Sequence, residues 1–326
     1  MKAESLILAS DIGGTNVRFA CLEHDANGEA WNVHDFIKLR GADYPCFHDA
    51  LETYLKTIQV KPKRAAFCAA GPVKNHKVNL TNTDWHISAR DVERMHGINF
   101  CGLYNDFAGM TRSIPELEAN DFSVIRKGQS IAELPILVAG PGTGFGVGFL
   151  ISANHGWHVI ATEGGHMTYS PQTPLEMQLL KVLSNQHDFV SLELVSSGKG
   201  LPDVHRAICA IHNQSYAPIA PEIIRKLAHK NDPVCRDVCL IRAAATMGAI
   251  GDLALSGGAR GGIVLAGGVS ERMIDFYTQP AAMDRFLNRG ARSNYVKDIP
   301  VKLLKNPLAP LIGSAAILID TKMVVE

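Results

Sequence analysis

Leu6-Ile7-Leu8-Ala9-Ser10-Asp11-Ile12-Gly13-Gly14-Thr15-Asn16-Val17-Arg18-Phe19-Ala20-Cys21-Leu22 is the stretch with the strongest structural signal in this chain. A short apolar run is followed by a turn with two adjacent glycines and then by a second apolar run. Two such runs joined by a Gly-Gly turn are typical of a β-hairpin. The sequence therefore predicts a hairpin near the start of an α/β domain.

The turn of this hairpin contains residue types that can bind phosphate. Its glycines lack a Cβ, so backbone N–H groups can approach phosphate oxygens closely. Asp11 would repel a phosphate unless Mg²⁺ or its water ligands lay between them. The turn fits either a phosphate site or a plain hairpin in which Gly13-Gly14 serves geometry alone.

A second glycine-rich turn follows the apolar run at 136–139, and glycine stands at every second position of 140–148. In an extended strand these glycines would form one face without side chains. The dinucleotide-binding spacing fails, because its third glycine is replaced by Phe145, Val147 or Phe149. A Walker A loop fails as well, since Gly200 follows Gly198-Lys199. A second phosphate hairpin and close strand packing are the two interpretations left.

Beyond the hairpins, strands and helices alternate along the chain. The patterns predict strands at 65–69, 100–104 and 263–266, and helices from Pro45, from Ser88, from Thr173, over about 233–255 and around 312–322. Gly13 and Gly142 stand 129 positions apart, so two α/β domains would each begin with a hairpin. No low-complexity linker separates the two halves, and we expect a boundary near residue 115 or 135.

Composition excludes several classes of partner. The 326 residues are 46% hydrophobic, and 32 Lys and Arg balance 32 Asp and Glu without a basic block, so we expect no nucleic-acid partner. The hydropathy pattern predicts no apolar run as long as the roughly 18 residues that a membrane span needs, so we expect no membrane partner. Seven cysteines without a C-x-x-C pair favour a reducing compartment, the cytoplasm.

Polar residues follow the predicted strand at 100–104. Asn105 and Asp106 should emerge at its carboxyl end, which is where open α/β sheets bind ligands. Asp106 is a candidate general base, and an equally ordinary role for it is to cap the helix that follows.

Three further segments carry candidate ligand residues. Glu163 and His166 flank two glycines and can both face a polyhydroxylated ligand, although a turn with one satisfied histidine has the same pattern. Glu193 by itself resembles a solvated surface carboxylate. Gly267-Gly268 follows a buried strand, and suits either a nucleobase or ribose lying on bare backbone or a simple strand-to-helix turn.

Six motifs follow one another in a fixed order. They are Asp11-Ile12-Gly13-Gly14-Thr15-Asn16, Asn105-Asp106-Phe107, Gly142-Thr143-Gly144-Phe145-Gly146, Glu163-Gly164-Gly165-His166, Ser197-Gly198-Lys199-Gly200-Leu201 and Leu265-Ala266-Gly267-Gly268. This set closely resembles bacterial ATP-dependent glucokinases of the hexokinase-like, actin-like ATPase superfamily. The resemblance implies two α/β domains of the ribonuclease H-like type with an interdomain cleft, a small domain of 1–115 with the C-terminal helix 306–326 and a large domain of 116–305.

The resemblance also implies a reaction: transfer of the γ-phosphoryl group of ATP to the 6-hydroxyl of D-glucose, the first step of glycolysis, in a homodimer. Asp106 would take the proton of that hydroxyl. The implied sugar ligands are Asn105, Asp106, Glu163, His166 and Glu193. The implied nucleotide residues are Asp11, Ile12, Gly13, Gly14, Thr15, Gly142, Thr143, Gly144, Gly267 and Gly268, with Mg²⁺ at Asp11 through water.

Other functions are weighed against this one. The related ROK kinases carry a Cys-x-Cys-Gly-x-x-Gly-Cys zinc motif after their Glu-x-Gly-His element, and no stretch of this sequence matches it. A kinase for another hexose or an N-acetylhexosamine, or one using polyphosphate, would leave no distinctive motif. A non-enzymatic sugar sensor is disfavoured, because a hairpin beginning near residue 11 leaves no room for an N-terminal helix-turn-helix.

Overall fold

The computed structural model describes residues 3–25, 28, 30–80, 84–153 and 156–323, with side chains to residue 320. The strands are β1 (Ile7–Ile12), β2 (Asn16–His24), β3 (Trp31–Arg40), β4 (Arg64–Ala69), β5 (Lys77–Asn79), β6 (His86–Ser88), β7 (Phe100–Asn105), β8 (Phe122–Arg126), β9 (Ile136–Pro141), β10 (Phe145–Ala153), β11 (Gly156–Thr162), β12 (Gly262–Leu265) and β13 (Val301–Leu304). The helices are α1 (Phe47–Leu55), α2 (Ala89–His96), α3 (Asp106–Arg112), α4 (Pro174–Ser184), α5 (Leu192–Ser196), α6 (Leu201–Ile211), α7 (Pro221–His229), α8 (Pro233–Gly257), α9 (Gly268–Arg272), α10 (Ile274–Tyr277), α11 (Pro280–Leu287), α12 (Ser293–Val296) and α13 (Ala309–Met323).

The chain divides into two units. Unit 1 contains Met1–Ala119, Ser152–Ala161 and Asn306–Glu326, and unit 2 contains Asn120–Ile151 and Thr162–Lys305. Each unit has its own sheet and hydrophobic core.

Unit 1 is built on a five-stranded sheet with the order β3-β2-β1-β4-β7. The predicted hairpin is confirmed, because β1 and β2 pair antiparallel. β4 runs parallel to both β1 and β7, so the carboxyl ends of these three strands lie at one edge of the sheet. The strand β3 was missed by the sequence interpretation, because it is an edge strand in which none of the residues is fully buried.

The first helix of unit 1 covers this sheet. α1 begins at Phe47, with Cys46 as its N-cap, two residues later than the Pro45 start predicted from the sequence. Phe47, Leu51 and Tyr54 are fully buried, as their spacing predicts. Phe47 and Tyr54 both contact the ring of Phe19 on β2, which fixes the helix on the sheet.

Two histidines join α1 to α2 at the surface of unit 1. Nδ1 of His48 and Nε2 of His96 are 3.0 Å apart, and the two rings stack. Burial and the neighbouring His48 lower the pKa of His96, and Glu52 partly opposes this. One shared proton satisfies the pair, whereas two positive charges at this distance repel.

We expect the stability of unit 1 to fall below about pH 6.5, the ordinary pKa of histidine. The lowered pKa of folded His96 means that the unfolded chain binds more protons in this range, so the stabilisation is complete above pH 6.5 and is lost as the pH falls through the folded pKa. Urea unfolding at pH 8 and pH 5.5 measures this loss. In His48→Asn the loss should be smaller, and an equal loss in that variant would contradict the assignment to this pair.

The C-terminal helix α13 packs against α3, β1 and β4 in unit 1. The two helices touch through glycines: a Cβ on Gly313 would overlap the backbone of Gly109, and a Cβ on Gly109 would overlap the Cys68 thiol. Near the other end of α3, the buried Arg112 donates to Asp320 at 2.6 Å and to Glu116 at 2.5 Å. Glycine contact and ion pairs together hold α3 in place.

Unit 2 contains the second hairpin, in a sheet in which β10, β9, β12, β13 and β8 are neighbours in that order. β9 and β10 pair antiparallel, so the predicted hairpin is confirmed. The expectation of one bare strand face is wrong, because the alternating glycines are divided over both strands and the turn. Gly140 on β9 lies opposite Gly146 on β10, and Gly142 and Gly144 lie in the turn.

A long helix forms the centre of unit 2. α8 has an 18-residue window with a mean hydropathy of 1.6, enough by length and composition for a membrane span. The expectation that no apolar run approaches 18 residues was therefore wrong. Of that window, 78% is buried within the protein, where α4, α6, α7 and α11 surround the core, so burial explains its apolar composition.

Candidate functional site

The first turn connects β1 to β2 through three residues, Gly13, Gly14 and Thr15. The Gly13 N–H donates to the Asn16 carbonyl at 3.0 Å, and the Thr15 carbonyl accepts from Gly41 at 2.9 Å. Ile12 is fully buried, so it can meet a ligand through its backbone alone. Neither Gly13 nor Gly14 is among the described glycines with a left-handed φ, and a Cβ on Gly13 would be 3.3 Å from the Asn16 carbonyl oxygen.

Asp11 lies at the carboxyl end of β1 beside this turn. Its Oδ2 accepts from Arg18 at 3.2 Å, and its Oδ1 has no hydrogen bond within the described chain. Burial raises the pKa of this carboxyl, and the charge of Arg18 partly opposes the increase. An additional cation would stabilise the ionised carboxylate, so the site fits a metal-bound water or a metal ion.

Asn105 ends β7 and Asp106 begins α3. Asn105 is the helix N-cap: its amide oxygen accepts from the Phe107 N–H at 2.9 Å, while its NH₂ donates to the Gly71 carbonyl at 3.1 Å. The cap role that the sequence allowed for Asp106 belongs chiefly to Asn105. Oδ1 of Asp106 also accepts from Phe107 at 2.8 Å, which orients its carboxylate at the helix N-terminus.

Asp11 and the pair Asn105-Asp106 lie at the same edge of the unit 1 sheet. Asp11 lies opposite Cys68 on β4, and Cys68 lies opposite Tyr104, the residue before Asn105. Two strand spacings correspond to about 10 Å between the β1 and β7 backbones. Burial and then the charges of Asp11 and Asp106 raise the pKa of the Cys68 thiol, which lies on β4 between the two strands.

In unit 2 the second turn is surrounded by backbone. The Gly142 and Thr143 carbonyls accept from Gly198 at 2.9 Å and from Lys199 at 3.2 Å. Gly267, with a φ of 97°, packs on Pro141, where a Cβ would be 2.7 Å from the carbonyl oxygen. In contrast, a Cβ on Gly142 or on Gly268 would meet no atom within 4 Å. The structure thus brings Gly142, Thr143, Gly267 and Gly268 together around open space.

Close strand packing also occurs here, as the alternative interpretation of 140–148 allowed. A Cβ on Gly140 would overlap the Ala266 carbonyl and would be 2.6 Å from the Ser270 hydroxyl. Its φ of 151° is one that glycine adopts readily. Gly140 therefore serves packing between β9 and the start of α9.

The buried Arg242 lies behind this loop. Its guanidinium donates to the carbonyls of Ser196 at 2.9 Å and Ser197 at 2.8 Å, and burial lowers its pKa. These carbonyls end α5, where a cation is favourable. The sequence offered no signal for this role, because Arg242 belongs to a distant helix.

Glu163 and His166 lie on a short 3₁₀ turn at Gly164–His166. Both residues are exposed, and neither side chain has a hydrogen bond within the described chain. Gly164 and Gly165 pack against β10: a Cβ on Gly164 would be 2.9 Å from the Val147 side chain, and a Cβ on Gly165 would overlap the Phe145 carbonyl. The two glycines bring the segment onto the second hairpin.

Glu193 differs from the surface carboxylate that its sequence context suggested. It is half-buried on α5, and its Oε2 accepts from the Phe145 N–H at 2.7 Å. Phe145 thus contacts Glu193 through its N–H and Gly165 through its carbonyl. Glu163, His166 and Glu193 therefore belong to one neighbourhood within unit 2.

Known structures define the class of protein. The crystal structure of a glucokinase from an Antarctic psychrotroph superposes with a TM-score of 0.88 at 34% identity, covering 97% of this chain and 99% of the other. Its fold is the actin-like ATPase fold of sugar kinases, as the sequence predicted.

Comparison of sequences then defines the family. The family model described as Glucokinase matches residues 8–321. The glucokinase of Saccharophagus degradans is 33% identical over 311 residues, covering 95% of this chain and 97% of that protein. The glucokinase of Paramagnetospirillum magneticum is 36% identical over 321 residues, covering 97% and 98%. The chain belongs to the glucokinase family, whose members are ATP-dependent hexose kinases.

Proposed function

We propose that this protein transfers the γ-phosphoryl group of ATP to the 6-hydroxyl of D-glucose, giving glucose 6-phosphate and ADP. The observation that carries the proposal is the pair Asn105-Asp106 at the same sheet edge as the Asp11 turn. Phosphoryl transfer requires positioned phosphates, charge neutralisation and an oriented hydroxyl more than it requires a covalent nucleophile.

Asp106 is the proposed general base. Its Oδ1 is held by the Phe107 N–H, and the neighbouring Asn105 side chain is fixed at both ends of its amide. An ionised carboxylate oriented in this way can accept the proton of the 6-hydroxyl as the oxygen attacks phosphorus. Asn105 is a proposed ligand of the same sugar.

The two turns are the proposed phosphate sites. Asp11, Ile12, Gly13, Gly14 and Thr15 would serve one, and Gly142, Thr143 and Gly144 the other. Mg²⁺ would be held at Asp11 through water; Oδ1 of this partly exposed carboxylate has no hydrogen bond to any residue that the structure describes, which fits this role. Mg²⁺ keeps several waters and needs one or two carboxylates beside the substrate phosphates, whose charge it neutralises. Gly267 and Gly268 would lie near the adenosine.

Glu163, His166 and Glu193 are the proposed hexose ligands in unit 2. Carboxylates accept from sugar hydroxyls, and a histidine can donate or accept. Their exposed or half-buried side chains around Phe145 support this role.

Removing one charge-assisted hydrogen bond in Glu163→Gln should weaken glucose binding roughly tenfold or more.

A coupled ADP-release assay with Mg-ATP across glucose, mannose, fructose and N-acetylated hexosamines tests the proposal. We expect glucose to have the highest kcat/KM, and a parallel reaction with polyphosphate to be slower than that with ATP. A preference for another hexose would replace the substrate, and no turnover of any sugar would refute the proposed activity. Asp106→Asn serves as the inactive control.

We further propose a cytoplasmic homodimer with a functional division into 1–115 plus 306–326 and 116–305. All seven cysteines are free thiols, which supports a reducing compartment. The dimer rests on the family resemblance. Analytical ultracentrifugation measures the oligomeric state, and a monomer at micromolar concentration would contradict it.

A further inference from the structure

The short helix α5 connects the two groups of proposed ligand residues in unit 2. Before its first residue, Ser191 caps the helix, and the Leu192 N–H donates to the carbonyl of Met167, the residue after His166. Directly after the helix, the Gly198 N–H donates to the Gly142 carbonyl at 2.9 Å. The segment that contains Glu163 and His166 is therefore hydrogen-bonded to one end of α5, and the second turn is hydrogen-bonded to the chain just after the other end.

Glu193 adds a side-chain connection between the same two places. Its Oε2 accepts from the Phe145 N–H, the first residue of β10 after the turn. The same oxygen is 2.5 Å from the position of a Cβ on Gly144, so this glycine makes the room in which the carboxylate lies. The second oxygen, Oε1, can accept from a sugar hydroxyl.

The far side of α5 is held rigidly. Arg242 is 5% exposed and donates to the last carbonyls of the helix, and Ser197 accepts from the Gly200 N–H at 3.2 Å. Lengthening these buried hydrogen bonds is costly, since a buried guanidinium loses partners that water does not replace. We therefore expect that a change at the Glu193 carboxylate alters its hydrogen bond to Phe145 and is not compensated by movement of α5.

We propose that Glu193 couples hexose binding to the geometry of the second phosphate turn, so that hexose and nucleotide each raise the affinity for the other. The proposal rests on the proposed function. A hexose hydroxyl on Oε1 restricts the carboxylate, which then holds the Phe145 N–H and the adjoining turn in one geometry. Linkage requires the reverse effect, nucleotide on hexose, to have the same magnitude.

The first test measures glucose binding by calorimetry with and without saturating Mg²⁺ and a non-hydrolysable ATP analogue. We expect the analogue to tighten glucose binding by about tenfold in the unaltered protein, a common size for such coupling. Glu193→Gln has one acceptor oxygen, which cannot serve the Phe145 N–H and a sugar hydroxyl at once, so it should weaken glucose binding and also bring the ratio of glucose affinities with and without the analogue to near one. The matched control, Glu163→Gln, should weaken glucose binding and keep the ratio.

The second test uses two glycines of one turn and no nucleotide. Gly144→Ala places a methyl group against Oε2 of Glu193, so we expect glucose to bind roughly tenfold more weakly, the loss of about one charge-assisted hydrogen bond. Gly142→Ala places its methyl group in open space and should bind glucose more tightly than Gly144→Ala does. Both variants keep an ordinary backbone, because neither φ is left-handed.

The outcomes separate this inference from the proposed function. An unaltered ratio in Glu193→Gln, a ratio near one in the unaltered protein, or equal glucose affinities in Gly144→Ala and Gly142→Ala would each overturn the coupling while glucose phosphorylation stands. Absence of glucose phosphorylation by the unaltered protein would overturn the proposed function itself. If Glu193→Gln does not fold, Glu193→Asp, which shortens the reach to Phe145, should give the same lowered ratio.

Discussion

Replacing Asp106 by Asn should lower kcat by about 10² to 10⁴, the usual contribution of a positioned general base. The amide oxygen of Asn can still accept from the Phe107 N–H, so the start of α3 should be preserved. The sugar hydroxyl loses its proton acceptor, whereas the other proposed sugar ligands stay in place. Glucose affinity should therefore change by less than about tenfold, and steady-state kinetics with direct glucose titration separates the two effects.

A matched control tests whether the change of Asp to Asn is harmful by itself. Asp91 also lies in the first turn of a unit 1 helix, where it pairs with Arg94 at 2.9 Å at the surface of α2. Asp91→Asn should leave kcat within about twofold, since exposed ion pairs contribute little. A kcat near that of the unaltered protein in folded Asp106→Asn would reduce Asp106 to a helix-terminal residue.

Replacing Gly313 by Ala should lower the stability of unit 1 by about 3 kcal/mol or more, because overpacking a tight contact forces the backbone to move. Its Cβ would overlap the Gly109 carbonyl and would be 2.8 Å from the Ser113 nitrogen, both on or next to α3. The expected decrease in Tm is roughly 5 to 10 °C for a unit of this size. A shift of α3 by about 1 Å also displaces Asp106 and can lower kcat by up to 100-fold.

The control for this variant is Ala316→Gly on the same helix. It removes a buried methyl group and costs helix propensity, about 1 kcal/mol, without moving α3. Differential scanning calorimetry and kcat at a low temperature measure both variants. A Tm and a kcat in Gly313→Ala no lower than those in Ala316→Gly would show that α3 and α13 accommodate the added methyl group without loss of stability or activity.

Local patterns predicted much of the fold. Two apolar runs joined by glycines predicted each hairpin, and the helix start predicted at Thr173 is confirmed, with a capping box formed by Thr173 and Glu176. These features depend on residues that are neighbours in the chain, so the sequence contains the whole of their physical cause. The strand β3 was missed because an edge strand has no continuous apolar run, and the apolar length of α8 was underestimated because small residues such as Ala and Gly separate its larger side chains.

The sequence also predicted only part of the candidate site. Residue type at Asp106, Glu163 and His166, read with the ordered motifs, predicted the chemistry and the family. The sequence context suggested that Glu193 was a surface carboxylate, and it left Asp106 as either a general base or a helix cap. The tertiary structure shows Glu193 half-buried beside β10, and it makes Asn105 the N-cap of α3 because β7 ends at that residue.

The sequence by itself determined the two hairpins, the α/β class and the set of residue types available for phosphoryl transfer, because these depend on local pattern and on side-chain chemistry. Tertiary structure alone decided that Asp11 and Asp106 share one sheet edge, that Arg242 holds the end of α5, and that Glu193 reaches the Phe145 N–H. These arrangements bring together residues as much as 95 positions apart along the chain, from Asp11 to Asp106. Strand register and helix packing bring them together, and both arise from burial of the whole core.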